Sequence, residues 1–199
     1  MAAILVPFRG AEGKRRLAPA APEARTALAL AMLADVLSAC IAVAPTALAS
    51  DDEAAANVAA EVGAGVLADL PAGQGAAVAV ALTRLDAVPV AVVNADLPCL
   101  VPDDLRELLG ALPPGGLALA PAADGTTNAL ALAEPRLFRP FYGPGSAERF
   151  LALAGPGVTV EHPNLAHDVD TLEDLRRYEL RTGPRTQMAL AMAGLARVA

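Results

Sequence analysis

Tryptophan is absent from this 199-residue chain, and aromatics make up only 3% of it although 55% of its residues are hydrophobic. The core is therefore left to Ala, Val and Leu, which pack through many small contacts, and the Ala excess favours helix wherever no other signal intervenes. Cysteine is nearly absent too. Cys40 and Cys99 are too few for a secreted disulfide framework, so a reduced, cytoplasmic protein is the expectation, with Cys99 a small buried hydrophobe. Positive charge is scarce: 15 Lys and Arg stand against 22 Asp and Glu, for a net charge of −7. That balance excludes the electrostatic footprint of a nucleic-acid partner, and anionic substrates would need cations concentrated locally.

No targeting signal is evident, since the apolar start Met1 to Val6 is short and runs at once into Pro7, Arg9 and Gly10. The long apolar run, Thr26 to Val43, is broken by Asp35 and Ser38 and follows Pro22-Glu23, which reads as a packed helix rather than a membrane span. There is no internal repeat and no low-complexity linker. The expectation is one soluble domain over residues 1–199, free of nucleic acid and membrane, with 183–199 as a C-terminal helical tail. Met188, Leu190, Met192 and Leu195 give that tail the pattern of an amphipathic helix packed on the domain or on another subunit, so a homodimer is among the expectations.

What is present is organised around Val88 to Pro98. An unbroken apolar run ends abruptly in Asn94-Ala95-Asp96, as in a strand buried on both faces of a parallel sheet that delivers a carboxylate at its carboxyl end. In open α/β sheets ligands bind at that end, which makes Asp96 a site candidate; capping of the helix after Pro102 is the alternative. Before it, Ala3 to Val6, Thr46 to Ser50 and Val66-Leu67 read as strands. Helices run from Pro22 to Ala39 and from Asp51 to Val62, and this βαβαβ rhythm indicates a Rossmann-like layered sheet.

The first strand opens into Pro7 to Leu17, where two glycines and the cations Arg9, Lys14, Arg15 and Arg16 make a phosphate cradle or, alternatively, a solvated basic loop. It is not a Walker loop, because Gly10 and Gly13 are too close and Arg15 follows Lys14. Gly73-Gln74-Gly75 at a helix start could approach an anion or a base closely, though Val78 stands where a dinucleotide fingerprint needs its third glycine. Beyond the central strand follow a helix from Asp103 to Leu112, a strand from Leu117 to Pro121 and a polar loop from Asp124 to Asn128. The turn Phe141 to Ser146 then precedes a helix from Ala147 to Ala154, with Ser146 as cap or contact, and Val158 to Val160 is a strand. In His167-Asp168-Val169-Asp170-Thr171, side chains two apart share a side, so Asp168 and Asp170 present two carboxylates together ahead of a helix from Leu172 to Arg181. A hard divalent ion is their natural partner, and capping by Asp170 or Thr171 is the alternative.

Taken together, Leu5-Val6-Pro7 with Gly13 to Leu17, Asn94 to Pro98, Thr127 to Leu130, Phe141 to Ser146 and His167 to Leu175 resemble the 2-phospho-L-lactate guanylyltransferase family, including its phosphoenolpyruvate-using members, which make an early intermediate of coenzyme F-420. The resemblance implies a single three-layer, α/β nucleotidyltransferase domain with a mixed, mostly parallel sheet. It implies Mg²⁺ on Asp96, Asp168 and Asp170, and the phosphate and carboxylate of the acid on Thr127, Gly143 and Ser146. GTP is then expected at Pro7, Arg9, Lys14, Gly73, Gly75 and Asp96, with Lys14 and Arg16 joining Asp96 in catalysis. Two departures stand out: Phe8-Arg9 replaces the family's Lys after the first strand, and Gly73-Gln74-Gly75 replaces its Gly-Leu-Asn turn, which bears on base choice. The two histidines, His162 and His167, are not needed as acid or base. Related transferases acting on sugar phosphates, and a catalytically silent nucleotide-binding domain, are the alternatives.

Overall fold

The computed structural model describes residues 1–10, 17, 20–153 and 155–196. The strands are β1 (Ala3–Pro7), β2 (Thr46–Ala49), β3 (Gly65–Leu67), β4 (Val90–Val93), β5 (Leu117–Pro121), β6 (Thr127–Leu132) and β7 (Gly157–Thr159). They form a seven-stranded sheet in the order β3-β2-β1-β4-β6-β5-β7. Among them only β6 runs antiparallel, to both β4 and β5, so the sheet is mixed and mostly parallel, as expected.

Alternation along the central strands sorts side chains by size. Ala91, Ala118, Ala120, Ala129 and Ala131 face one layer, while Val90, Val92, Leu117, Leu119, Leu130 and Leu132 face the other. On the alanine side, small side chains admit α1 (Pro22–Ile41), α2 (Glu53–Val62) and α4 (Pro102–Gly110). On the other side, α3 (Gln74–Thr83) and α5 (Ser146–Leu151) cover the larger residues with Val78, Leu82 and Phe150. An aromatic-poor chain thus fills two cores by pairing a small face with long aliphatics from helices and a large face with few. Both cysteines are buried, and burial pushes their thiols up, which makes them packing residues.

Several boundaries differ from the sequence expectation. Thr127 and Asn128, expected in a loop, open β6 instead; their polar side chains are tolerated because the Thr127 and Ser146 hydroxyls share a hydrogen bond (3.0 Å) and Asn128 Nδ2 donates to Leu165 O (2.9 Å), while Asn94 donates from its N–H to Asn128 O (2.9 Å) and from its side-chain amide to Thr127 O (3.2 Å). A short helix, α6 (Pro163–Ala166), precedes the acidic segment, α7 stops at Tyr178 (Leu172–Tyr178) and a 3-10 turn, Glu179–Arg181, continues from it. The tail forms α8 (Pro184–Met192), with Leu190 buried and Met188 and Met192 exposed.

Helix α1 is long and apolar enough to cross a membrane by length and composition, yet more than half of it is buried within the fold. Its Asp35, 7% exposed, accepts hydrogen bonds from Arg185 N (3.1 Å) and Thr186 N (2.8 Å), and so caps the first turn of α8 from another helix. Between these helices a third small core holds Leu28, Met32, Val169, Leu172, Leu175 and Leu190. Asp35→Ala, leaving two amide donors without their carboxylate, is expected to cost about 2 kcal/mol and to lower the melting temperature by about 4–8 °C. Gly183→Ala should be comparably harmful, because a Cβ there falls 2.3 Å from Asp35 Cγ. Thermal denaturation of both variants checks this, and unchanged melting would remove the cap from the account.

Candidate active site

At the centre of the sheet, β1 leads by its crossover to β2 on one side, while β4 is followed by pairing with β6 on the other. Loops leaving two neighbouring strands in opposite directions open a crevice at their carboxyl ends. Two cavities occupy it, of about 210 and 500 Å³. They share Pro7, Arg9, Gly10 and Gln74, so they form one groove. Asn94, Asp96 and Asp170 line the smaller part; Ser50, Asp51, Asp52 and Gly73 line the larger, which by volume falls within the range of small-molecule sites.

Asp96 follows β4, whereas Asp168 and Asp170 flank Val169 in the segment leading to α7. One backbone bond, Val169 N to Asp96 O at 2.9 Å, stitches the two segments together. Val169 itself is fully buried among Leu28, Met32 and Leu190, and extended alternation then turns both aspartates to the opposite side. One carboxylate oxygen from each of Asp96, Asp168 and Asp170 lies within 4.8 Å of the others. Oxygens sharing one Mg²⁺ through 2.0–2.1 Å bonds stand about 3–4 Å apart, so slight side-chain rotation closes the set, and a purely oxygen donor set suits a hard cation.

These carboxylates are not helix caps. Thr171 caps α7, its Oγ1 accepting from Asp174 N (3.1 Å) while Asp174 Oδ2 accepts from Thr171 N (2.8 Å). At α4 the reaching-back carboxylate belongs to Asp104, which accepts from Val101 N at 2.9 Å, and Asp103 pairs with Arg106. Burial first, and then the Asp96 charge, raise the Asp168 carboxyl above its ordinary range; hydrogen bonds from its own backbone and from Asn128 oppose this, and Asp170 adds a further push.

The other expected site residues are placed as follows. Arg9 is exposed and is the one cation among the described residues lining the groove. Lys14 and Arg16 lie outside the described residues. Gly73, with φ of +92°, precedes α3 on the groove wall, whereas Gly75 does not line it: a Cβ there would meet Pro140 at 2.8 Å, so its role is close packing. Thr127 and Ser146 are buried, their hydroxyl oxygens 3.0 Å apart, and Ser146 N donates to Gly143 O (3.1 Å), so these three residues share one corner. Thr127, Asn94 and Tyr142 line a pocket of about 10 Å³, room for about one water. His167 stacks on Tyr178 and His162 contacts Asp104, away from the carboxylate cluster in their bonding. Sequence reasoning passed over Gln74, Asn94 and Asn128 as working residues, although two asparagines at buried strand ends were a visible signal.

Residues 2–177 match the family "Guanylyl transferase CofC like". The chain is 37% identical to a phosphoenolpyruvate guanylyltransferase of Nocardia farcinica, covering 92% of this chain and 87% of that one. It is also 37% identical to the protein of that name from Streptomyces coelicolor, covering 94% and 95%. Among solved structures, a provisionally assigned nucleotide-diphospho-sugar transferase from Desulfovibrio desulfuricans G20 superposes with a TM-score of 0.77 at 16% identity, covering 98% and 96%. A CMP:2-keto-3-deoxy-manno-octonic acid synthetase complexed with CTP superposes with a TM-score of 0.57 at 15% identity, covering 96% and 99%. These likenesses show that the chain shares their fold.

The raised Asp168 carboxyl has a stability consequence of definite sign. The native state keeps a proton where the unfolded chain has lost it, so metal-free stability falls as pH rises from about 4 through the raised value. In the presence of EDTA, Asp168→Asn is therefore expected to melt above the parent at neutral pH and to converge with it below about pH 4. A variant that melts no higher than the parent at neutral pH would contradict the burial and repulsion assigned to this carboxylate.

Proposed function

The chain belongs to the CofC-like guanylyl transferase family and is a nucleotidyltransferase, and from that premise we propose that it transfers GMP from GTP to the phosphate of phosphoenolpyruvate or 2-phospho-L-lactate in coenzyme F-420 biosynthesis. The names of its relatives favour phosphoenolpyruvate. The observation that carries the reading is the gathering of Asp96, Asp168 and Asp170 at the end of the central strand, beside a groove of nucleotide size.

In this reading the nucleoside occupies the larger part of the groove, along Pro7 and Gly73, with Gly75 holding the start of α3 close against Pro140. Arg9 faces the polyphosphate, helped by Lys14 and Arg16 of the same basic stretch. Thr127, Ser146 and the turn at Gly143 receive the acid's anionic groups, which replace the bond the two hydroxyls make with each other and require that buried corner to open. A phosphate oxygen of the acid attacks the α-phosphorus. A new P–O bond forms, the bond to the bridging oxygen breaks, and its electron pair leaves with pyrophosphate. Mg²⁺ on the three aspartates would supply neutralisation of the charge that develops on the phosphates. The protein's own contribution is to hold both anions in line and to keep cationic and amide donors where negative charge grows. No covalent intermediate is formed.

The test is a matrix of GTP, ATP, CTP and UTP against phosphoenolpyruvate, 2-phospholactate and 3-phosphoglycerate, with a sugar phosphate as a further acceptor, read as pyrophosphate. Release is expected with GTP and one of the first two acids, and Asp96→Asn should reduce it by about 100-fold or more, since several kcal/mol of charge stabilisation is lost. No pyrophosphate from any acid with GTP and Mg²⁺ would overturn the reading, and preferential turnover of the sugar phosphate would transfer it to a related enzyme class. Arg9→Ala is expected to raise the KM for GTP by about tenfold, more at low salt than at high, as one charge-assisted contact to a polyanion is lost. A KM that stays at the parental value would leave Arg9 a solvated charge.

A further inference from the structure

Asparagine is a poor strand former, and a buried amide is costly unless its polar atoms are bonded. Asn128 is nevertheless only 2% exposed, in a strand whose next residues are Ala129, Leu130, Ala131 and Leu132. Its Nδ2 lies 2.9 Å from Leu165 O and 3.4 Å from Asp168 Oδ1. Leu165 O is a pure acceptor, so the amide nitrogen must face it, and Oδ1 is left for Asn94 Nδ2 at 3.4 Å. Asn94 Nδ2 also bonds Thr127 O at 3.2 Å, another pure acceptor, which turns Asn94 Oδ1 outward to receive Gln74 Nε2 at 3.3 Å. Each amide has its orientation dictated by the next, and all three donate toward the carboxylate.

Resting on the metal site of the proposed function, we propose that Asn128 is a positioning residue for Asp168, backed by a directional amide chain from Gln74 through Asn94. A neutral donor suits this task better than a cation. Lys or Arg in place of Asn128 would neutralise Asp168 and repel the metal, whereas an amide orients the carboxylate and leaves its charge to the ion. The bond to Leu165 O does the complementary work on the backbone, pinning α6 and the acidic segment behind it to the interior strand β6. Gln74 borders both parts of the groove, so the chain runs from the nucleotide wall to the metal carboxylate.

The test uses the full chain and Mn²⁺ as probe, with bound metal measured by electron paramagnetic resonance and thermal shift, and kinetics measured in parallel. Asn128→Leu keeps the volume and removes both donors. It is expected to weaken Mn²⁺ binding by about 10- to 100-fold and to raise the Mg²⁺ needed for half-maximal rate to match, the usual scale for groups that orient a metal ligand. At saturating Mg²⁺ the KM for GTP should stay close to the parental value. Placed in an Asp168→Asn background, Asn128→Leu should change Mn²⁺ affinity by no more than about twofold, because the group it orients has gone; in an Asp170→Asn background its effect should persist. Parental Mn²⁺ affinity in folded Asn128→Leu, or an equal loss in the Asp168→Asn background, would overturn the positioning role. If Asn128→Leu does not fold, Asn94→Leu carries the same test one link back, with a loss of about threefold expected and parental affinity overturning the proposal. A parent chain that binds no Mn²⁺ would overturn the metal reading and this inference together, whereas a parent that binds it normally beside an unaffected variant would overturn this inference alone.

Discussion

Three carboxylates drawn into one small volume repel each other, and a polypeptide left to itself would let them drift apart into solvent. In this protein they are held, with one oxygen of each within 4.8 Å of the others, and Asp168 carries the cost as a carboxyl raised by burial and by Asp96. Much of the surrounding structure can be understood as the restraint that this repulsion requires. Asp96 is placed by the end of a fully buried strand, which does not yield. The other two are placed by Val169, whose N–H is bonded to Asp96 O and whose side chain is buried in the core between α1, α7 and α8.

The restraint extends outward in shells of decreasing locality. Thr171 and Asp174 satisfy the start of α7, so Asp170 is not drawn off into capping. Asp35 caps α8 from within α1, which keeps Leu190 on Val169 and closes the small core beneath the carboxylates. Asn128 restrains the same segment from the sheet side. Under the proposed function such rigidity is what phosphoryl chemistry needs, because its rate enhancement comes from donors and charges already in place when negative charge develops.

The groove's electrostatics follow from the same economy of charge. The chain is acidic overall, and the larger part of the groove is lined by Asp51 and Asp52 as well as by Arg9. Asp51 Oδ1 accepts from Asp69 N at 2.7 Å and Asp52 Oδ1 caps α2 through Ala55 N at 3.0 Å, so both acids have structural duties on that wall. Among the described residues, positive charge on the groove is therefore local, confined to Arg9 rather than spread as a broad field.

Residue pattern alone determined the sheet's apolar strands, the delivery of Asp96 at a strand's carboxyl end and the shared side of Asp168 and Asp170, because each depends on a period of two or on a sharp switch from apolar to polar within a few residues. The motif set likewise sufficed to identify the family, since short ordered motifs survive without any knowledge of distance. Tertiary structure decided what depends on neighbours far along the chain. Thr127 and Asn128 read as loop because they are polar, and they are strand because Ser146 Oγ and Leu165 O satisfy their side chains and Asn94 bonds their carbonyls. Capping of the helix after Pro102 was the alternative for Asp96, and Asp104 took that role because its carboxylate reaches Val101 N. Asp35 looked like an interruption in an apolar helix and became the cap of α8. That Asp96 meets Asp168 and Asp170, and that three amides line up behind them, follows from sheet order and from one backbone hydrogen bond at Val169, neither of which has any periodic trace in the residues that make it.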